Sequence, residues 1–300
     1  MRKKKFDLFG DKKTEPFDTH SDDKTLSISS HQADKVTANV QHVEPPQLVY
    51  GCGQSVGKQR EHNEDCIFAL SIVIGGEPTS LPIGLFIVAD GMGGHQYGEV
   101  ASSTAVRTLV GHILNQIQPF LVNPATIMEE SIQELMHSAI NEAQRAVTQT
   151  APGSGTTLTA ALVFGQKVTI GHVGDSRAYV IHQNGGGEAL THDHSLVKRL
   201  EELGQISSEE ASIHPRRNVL YRALGQGDNL EPDIFTASFP RTDGLLLCSD
   251  GLWGVLSEDK LFQLVSLEQD PLHACQSLVA AANEAGGPDN ISVIIVKPTV

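Results

Sequence analysis

The chain has 300 residues, 39% of them hydrophobic and 19% charged, enough apolar material for a full core in one large domain. Its net charge is −14, and the excess lies wholly beyond residue 47, because the first 47 residues carry eight basic and eight acidic side chains. A globular part this acidic argues against nucleic acid as the main partner, since phosphate backbones are gripped by Lys and Arg, and is compatible with bound divalent cations.

Residues 1–46 are polar, rich in Lys, Asp, Ser and Thr, and close on Pro45-Pro46 without hydrophobic periodicity, so they read as a disordered tail ahead of a domain over 47–300. The opening MRKKKFDLFGDKK is basic but lacks the apolar stretch of a signal peptide. From Leu48 onward, LVYGCGQ, DCIFALSIVI, IGLFIVAD, TTLTAALVF, KVTIGHVG, SRAYVIH, GLLLCSD and ISVIIVKP read as strands. Two helical patterns separate the third strand from the fourth. In the first, Leu109, Ile113 and Ile117 recur at helical spacing. The second is expected to open at Asn123-Pro124 as N-cap and first-turn proline, with Ile132, Leu135, Met136, Ile140 and Val147 on one stripe. A third helix is expected from Asp270-Pro271 to the glycines at 286–287. The polar, helix-leaning stretch from about 193 to 224 interrupts the strands and reads as a flap. Strands, a helix pair, more strands, a helix and a final strand imply two sheets between helices.

Cys52, Cys66, Cys248 and Cys275 form no CxxC pair, which argues against a zinc ribbon and for reduced thiols in a cytoplasmic protein. No segment reaches the ~18 apolar residues of a membrane span.

Acids recur at the tips of core strands. FIVADGMGG puts Asp90 before Gly91, and GLLLCSDG puts Asp250 before Gly251. VTIGHVGDSR places Asp175 at a turn, GGPDNISVIIV places Asp289 before the last strand, and QREHNEDCIF places Glu64 and Asp65 before an early one. One Asp-Gly is an ordinary turn. A series of them, if the tips converge, repels at neutral pH unless cations sit among the carboxylates, and oxygen-rich sites suit Mg²⁺ or Mn²⁺. Gly91 lets a backbone carbonyl approach a cation closely. His172 reads as a satisfied core histidine. Asp193-His194-Ser195 reads as a turn and N-cap, since adjacent residues cannot line up as a catalytic triad. Trp253 reads as a packing wall, and neither a GxGxxG nor a P-loop is present.

Taken together these segments resemble the protein phosphatase 2C family of metal-dependent Ser/Thr phosphatases, in its bacterial form. The match rests on RxxNED at 60–65, ADGMGGHxxGExAS at 89–102, SGTTLTAALV at 154–163, GHVGDSRAY at 171–179, LTHDHSLV at 190–197, HPRRNVLYRALG at 214–225, SDGLW at 249–253 and GGPDNISVIIV at 286–296. The resemblance implies an α+β fold, a four-layer α-β-β-α sandwich of two antiparallel-rich sheets between helix pairs. It implies a two-metal centre of Mn²⁺ or Mg²⁺, with Asp90 bridging and Asp250 and Asp289 on the first ion. The Gly91 carbonyl and Glu64 serve the second, with Asp65 in support, while Asp175 matches the position of a third, looser ion. Arg60 matches the phosphate-binding arginine, which suits a guanidinium fork. Two departures stand out. Met92 occupies the position where many eukaryotic members carry a histidine proposed as general acid, and His95 lies shortly after. Gly254 stands where members often carry an aspartate, which puts occupancy of the third site in doubt.

The implied reaction is hydrolysis of phosphoserine or phosphothreonine esters on proteins by a water activated between two cations, with no covalent enzyme intermediate. It would oppose Ser/Thr kinases, and phosphorylated proteins, the kinases' substrates and the kinases themselves among them, are the expected partners of a monomeric enzyme. The alternative readings are a catalytically weak phosphoprotein-binding module on the same fold and a small-molecule phosphohydrolase.

Overall fold

The computed structural model describes residues 45–74, 81–93, 97–123, 130–227, 230–239 and 243–299. Residues 1–44 of the expected tail, His95 and Pro124 lie outside the described residues.

The chain builds two antiparallel sheets. The five-stranded sheet contains β1 (Leu48–Ser55), β7 (Arg177–Ile181), β8 (Gly187–Ala189), β10 (Gly244–Cys248) and β11 (Ile291–Pro298), in the order β1-β11-β10-β7-β8. The second contains β2 (Asp65–Ile74), β3 (Leu81–Met92), β5 (Leu158–Phe164), β6 (Lys167–Val173) and β9 (Asp233–Ser238) in the order β2-β3-β5-β6-β9, with β4 (Gly155–Thr156) paired to β3. Helices α1 (Gly98–Val122) and α2 (Ile132–Thr150) cover the second sheet. Helices α6 (Glu258–Leu267) and α7 (Pro271–Glu284) stack on the first.

Three apolar clusters fill the three interfaces of this α-β-β-α stack. Strand β3 shows how one sequence serves two of them. Ile83, Leu85, Ile87 and Ala89 point toward α1 and α2, while Phe86 and Val88 point into the space between the sheets. β11 divides likewise, with Val293 and Ile295 toward α7 and Ile294 and Val296 inward. Burial on both faces is why these strands read as continuous apolar runs rather than alternating ones. Full burial of each such side chain contributes about 1.5–3 kcal/mol.

The helical stripes fall where the spacing places them. Leu109, Ile113 and Ile117 are buried, as are Leu135, Met136, Ile140 and Val147. The start of α2 differs from the sequence reading. Asn123 is the C-cap of α1, and α2 begins at Ile132 behind Ser131, whose side chain accepts from Glu134 N–H while the Glu134 carboxylate accepts from Ser131 N–H. That reciprocal capping box satisfies two orphan donors and outweighs the Asn-Pro signal upstream. At α7 the reading holds: Asp270 caps Leu272 N–H at 2.8 Å and Pro271 takes the first turn. β3 runs two residues past Asp90, because Gly91 and Met92 pair with Thr156 and Gly155.

The 193–224 stretch forms α3 (Leu196–Glu202) and α4 (Ser208–Ser212), joined by turns. Ser195 caps α3 by accepting from Lys198 N–H. The short helix α5 (Asp250–Trp253) opens on Asp250 itself.

Candidate metal centre

One end of the sandwich carries a basin of about 240 Å³ lined by Arg60, Glu64, Asp90, Gly91, Asp175, Asp250 and Asp289. These residues come from five separate stretches of chain. Asp90 lies near the end of β3, Asp175 in the β6–β7 turn, Asp250 at the first turn of α5 and Asp289 just before β11. Asp65 faces Asp90 across the β2–β3 ladder and sits behind the basin, where its Oδ2 accepts from the Ser249 hydroxyl at 2.8 Å.

Backbone contacts hold the frame. Asp90 N–H donates to Thr157 Oγ1 at 2.8 Å, and Thr157 N–H returns to Asp90 O at 2.9 Å. The Thr157 hydroxyl is 2.7 Å from that of Ser176, next to Asp175. Gly91 packs so tightly that a Cβ there would stand 2.2 Å from Gly98 O and 2.6 Å from Glu64 O. A Cβ on Gly98 would meet Glu64 Oε1 at 2.7 Å and Gly91 O at 3.1 Å, so the Glu64 carboxylate and the Gly91 carbonyl meet over the start of α1. Asn290 ties the last acid to the first loop, accepting from Glu64 N–H at 2.8 Å and donating to His62 O and Val56 O.

Glu64, Asp65, Asp90, Asp175 and Asp250 are held above their ordinary range. Burial, then the neighbouring Asp289, raises Asp250 to about 6. Burial raises Asp65 to about 7 against the bonds from Ser292 and Ser249 that pull it down, with Asp250 and Asp289 adding to the rise. Asp90 is pushed well up by burial and by Asp65, Asp250, Asp175 and Asp289 together, and Asp175 by burial and by Asp250 and Asp193. Glu64 rises through burial, against Arg60.

Two oxygens carry the test of whether cations fit. Among the described residues, Asp65 Oδ1 and Asp250 Oδ1 are buried without a hydrogen-bond partner. An orphaned carboxylate oxygen is costly unless something positive reaches it. With a backbone carbonyl beside Glu64, the donor set is all oxygen, which suits hard divalent ions. Among the described residues, however, no three His, Cys, Asp or Glu side chains close into a ready metal cage. The acids face one another closely enough that Asp65, Asp250, Asp175 and Asp289 all raise Asp90. Asp289 is also engaged elsewhere: Oδ2 takes Arg60 Nη2 at 2.7 Å and Oδ1 takes Asn290 N–H at 2.8 Å. That bond to Asp289 holds the half-exposed Arg60 guanidinium above its ordinary range.

A larger cleft of about 460 Å³ adjoins the basin and runs under α3 and α4. At its inner wall Arg177 binds Asp193 with two bonds, Nε–Oδ1 at 2.9 Å and Nη2–Oδ2 at 2.7 Å. Trp253 lies under the Arg177 guanidinium and bonds the Asp175 carbonyl. It is thus more than a packing wall, a contact between residues far apart in the chain that no local pattern signals. His172 is fully buried, with Nε2–H donating to His192 O at 3.1 Å and Nδ1 2.9 Å from the Thr159 hydroxyl; burial lowers it to about 3. It is a satisfied core histidine.

The model of the family described as "Protein phosphatase 2C" matches residues 51–291. The Ser/Thr phosphatase stp of Listeria welshimeri is 38% identical over 250 residues, covering 80% of this chain and 92% of that protein. The protein phosphatase PhpP of Streptococcus pneumoniae is 34% identical over 252 residues, covering 81% and 94%. Among solved structures, the Mycobacterium tuberculosis Ser/Thr phosphatase PstP/Ppp superposes with a TM-score of 0.70 at 29% identity, covering 84% of this chain and 98% of that one. A structure of the PstP catalytic domain in complex with two manganese ions gives 0.69 at 28% identity, covering 85% and 100%.

Proposed function

The chain belongs to the protein phosphatase 2C family and hydrolyses phosphoserine and phosphothreonine esters on proteins in a metal-dependent reaction, and on that premise we propose which of its residues hold the cations and which hold the phosphate. Asp90, Asp250 and Asp289 hold a first divalent ion, Asp90 with the Gly91 carbonyl and Glu64 a second, and Asp175 a third and looser one. Asp65 supports the set from behind. The observation that carries this reading is the orphaned Asp250 Oδ1, a buried oxygen facing a basin of further acids. The two manganese ions of the PstP structure support a pair, and the oxygen-only donors suit Mn²⁺ or Mg²⁺.

When bound, such a pair supplies Lewis acidity: it readies a water for attack at neutral pH and neutralises charge on the phosphoryl oxygens. Arg60 stands at the rim with its fork engaged by Asp289. Turned to a phosphate, it would read two oxygens at once and counter the charge that grows on them in the transition state. Met92 has no proton to give, so this chain places no side chain from that position on the leaving oxygen. The flap over 193–224 walls the cleft that would receive the polypeptide beside the phosphorylated residue.

We assign residues 47–300 as the phosphatase domain, acting as a monomer on phosphoproteins of kinase pathways. Cytoplasmic residence is supported by four free cysteines, with Cys248 and Cys275 buried. No helix among the described residues is long and apolar enough to cross a membrane. The test is phosphate release from a phosphothreonine peptide with Mn²⁺. Turnover in the wild type, lost on adding chelator and lost in Asp250→Asn, is the expected result. Turnover that survives the chelator, or an unaffected variant, overturns the assignment.

A further inference from the structure

Trp253 is the chain's single tryptophan. Its indole Nε1–H donates to the backbone carbonyl of Asp175 at 2.9 Å. The ring belongs to α5, the helix that opens on Asp250, and the carbonyl belongs to the β6–β7 turn. One hydrogen bond therefore joins the carriers of two candidate ligands. The ring is fixed from a second side, because the Arg177 guanidinium stacks 3.7 Å from its centroid. Arg177 is itself immobilised by the two bonds to Asp193 and a third to Tyr179 at 3.1 Å. An indole held by its edge and by its face has one orientation, and so does the carbonyl it binds.

Position 254 makes this bond matter. It is glycine, and its N–H closes the α5 turn on Asp250 O at 2.7 Å. A Cβ there would stand 2.7 Å from that same oxygen, so this turn is built around a residue without a side chain. No carboxylate reaches the Asp175 side of the basin from 254. The placement of Asp175 rests instead on its turn, which His194 holds through Gly174 N–H to Nδ1 at 3.1 Å and through its own N–H to Gly174 O at 2.8 Å, and on Trp253.

We propose that Trp253, clamped by Arg177, is the positioning residue that sets Asp175 against Asp250 and thereby gives the third, looser cation site its affinity. The inference rests on the reading of Asp175 and Asp250 as ligands. Trp253 acts on the cation site through the Asp175 carbonyl. Without its N–H the carbonyl loses its indole donor and the turn relaxes. Removing an outer partner of this kind typically costs about 10–100-fold in metal affinity.

The experiment is a calorimetric Mn²⁺ titration of the full chain in wild type, Trp253→Phe, Asp175→Asn and Asp90→Asn. Phenylalanine keeps a face for Arg177 and removes only the donor. The expected result is a tight phase unchanged in Trp253→Phe and a weak phase shifted about 10-fold weaker, with the weak phase absent in Asp175→Asn. Both phases unchanged in Trp253→Phe, or both weakened alike, overturn the inference. An Asp175→Asn titration identical to wild type overturns it together with the assignment of Asp175. The two-ion reading fails separately, if Asp90→Asn retains the tight phase. A readout that needs no variant comes from the wild-type indole, whose emission should change across the weak phase; emission flat through that phase contradicts the proposal.

Discussion

At the base of the flap, Asp193 is buried with both oxygens bonded to Arg177. In the basin, Asp250 is half-buried, and its buried Oδ1 has no hydrogen-bond partner among the described residues. Both acids sit at polar turns, yet the fold supplies a counter-charge to the first and withholds it from the second. Arg60, which lines the basin, gives its guanidinium to Asp289 at the rim. A paired acid makes a rigid joint, and an unpaired one in a concave basin makes a place for something from outside. The same residue type thus serves structure in one region and chemistry in the other, and only the partners tell them apart.

The sharpest way to break this contrast is to neutralise each acid in turn. Asp250→Asn should lower phosphopeptide turnover by more than ~100-fold, the upper end for a mere outer partner of a metal. In chelator its melting temperature should rise, because a repelled buried charge has gone; a fall would place Asp250 with the structural acids. Asp193→Asn should do the reverse. It removes the bidentate partner of Arg177, leaving the Glu258 carboxylate at 3.7 Å and the Tyr179 hydroxyl, and should cost about 3–5 kcal/mol in denaturant unfolding, while Mn²⁺ still binds the tight sites. A variant that unfolds like wild type would show the Arg177 pair to be dispensable.

The next effect concerns the rim. Arg60→Ala should cost about 100-fold in kcat/KM by removing a donor to the phosphoryl oxygens, and should tighten Mn²⁺ binding by releasing Asp289. Weaker binding would mean that Arg60 supports the site and does not compete for it.

The smallest effect is one of sign with pH. Without cations, Asp250 at about 6 and Asp65 at about 7 lie above their unfolded values of roughly 4. The folded state then keeps protons that the unfolded chain releases. Their contribution is present below pH ~4 and is lost as pH rises toward 7. His172, held at about 3, lies below its unfolded value of roughly 6.5. Its contribution is present above pH ~6.5 and is lost as pH falls toward 3. Melting temperatures in chelator should therefore decline on both sides, by about 2–4 °C per kcal/mol. Asp250→Asn should flatten the neutral side and His172→Gln the acid side. A variant that flattens the other limb would reverse the assignment.

Much of this was legible in the chain. Asp90 and Asp250 announce themselves because an apolar run ending in Asp-Gly is a local pattern, and the two-faced strands follow from their unbroken hydrophobicity. What escaped was of two kinds. Some signals were present but passed over: Ser257 followed by Glu258 and Asp259, with Leu261, Phe262 and Val265 at helical spacing, marks α6, and Ser131 with Glu134 marks the true start of α2. Others are not local at all. β9 is a half-buried edge strand that follows Pro232 and borrows its register from β6. The Trp253–Asp175 bond and the Arg60–Asp289 pair join distant segments, and no spacing rule anticipates either.

The most direct measurement is anomalous diffraction from crystals of the full chain grown with Mn²⁺. The account predicts manganese peaks inside the basin, bonded to Asp90 and Asp250, with Asp250 Oδ1 no longer orphaned and Arg60 released from Asp289. Manganese bound elsewhere, with the basin acids still unpartnered, would contradict it.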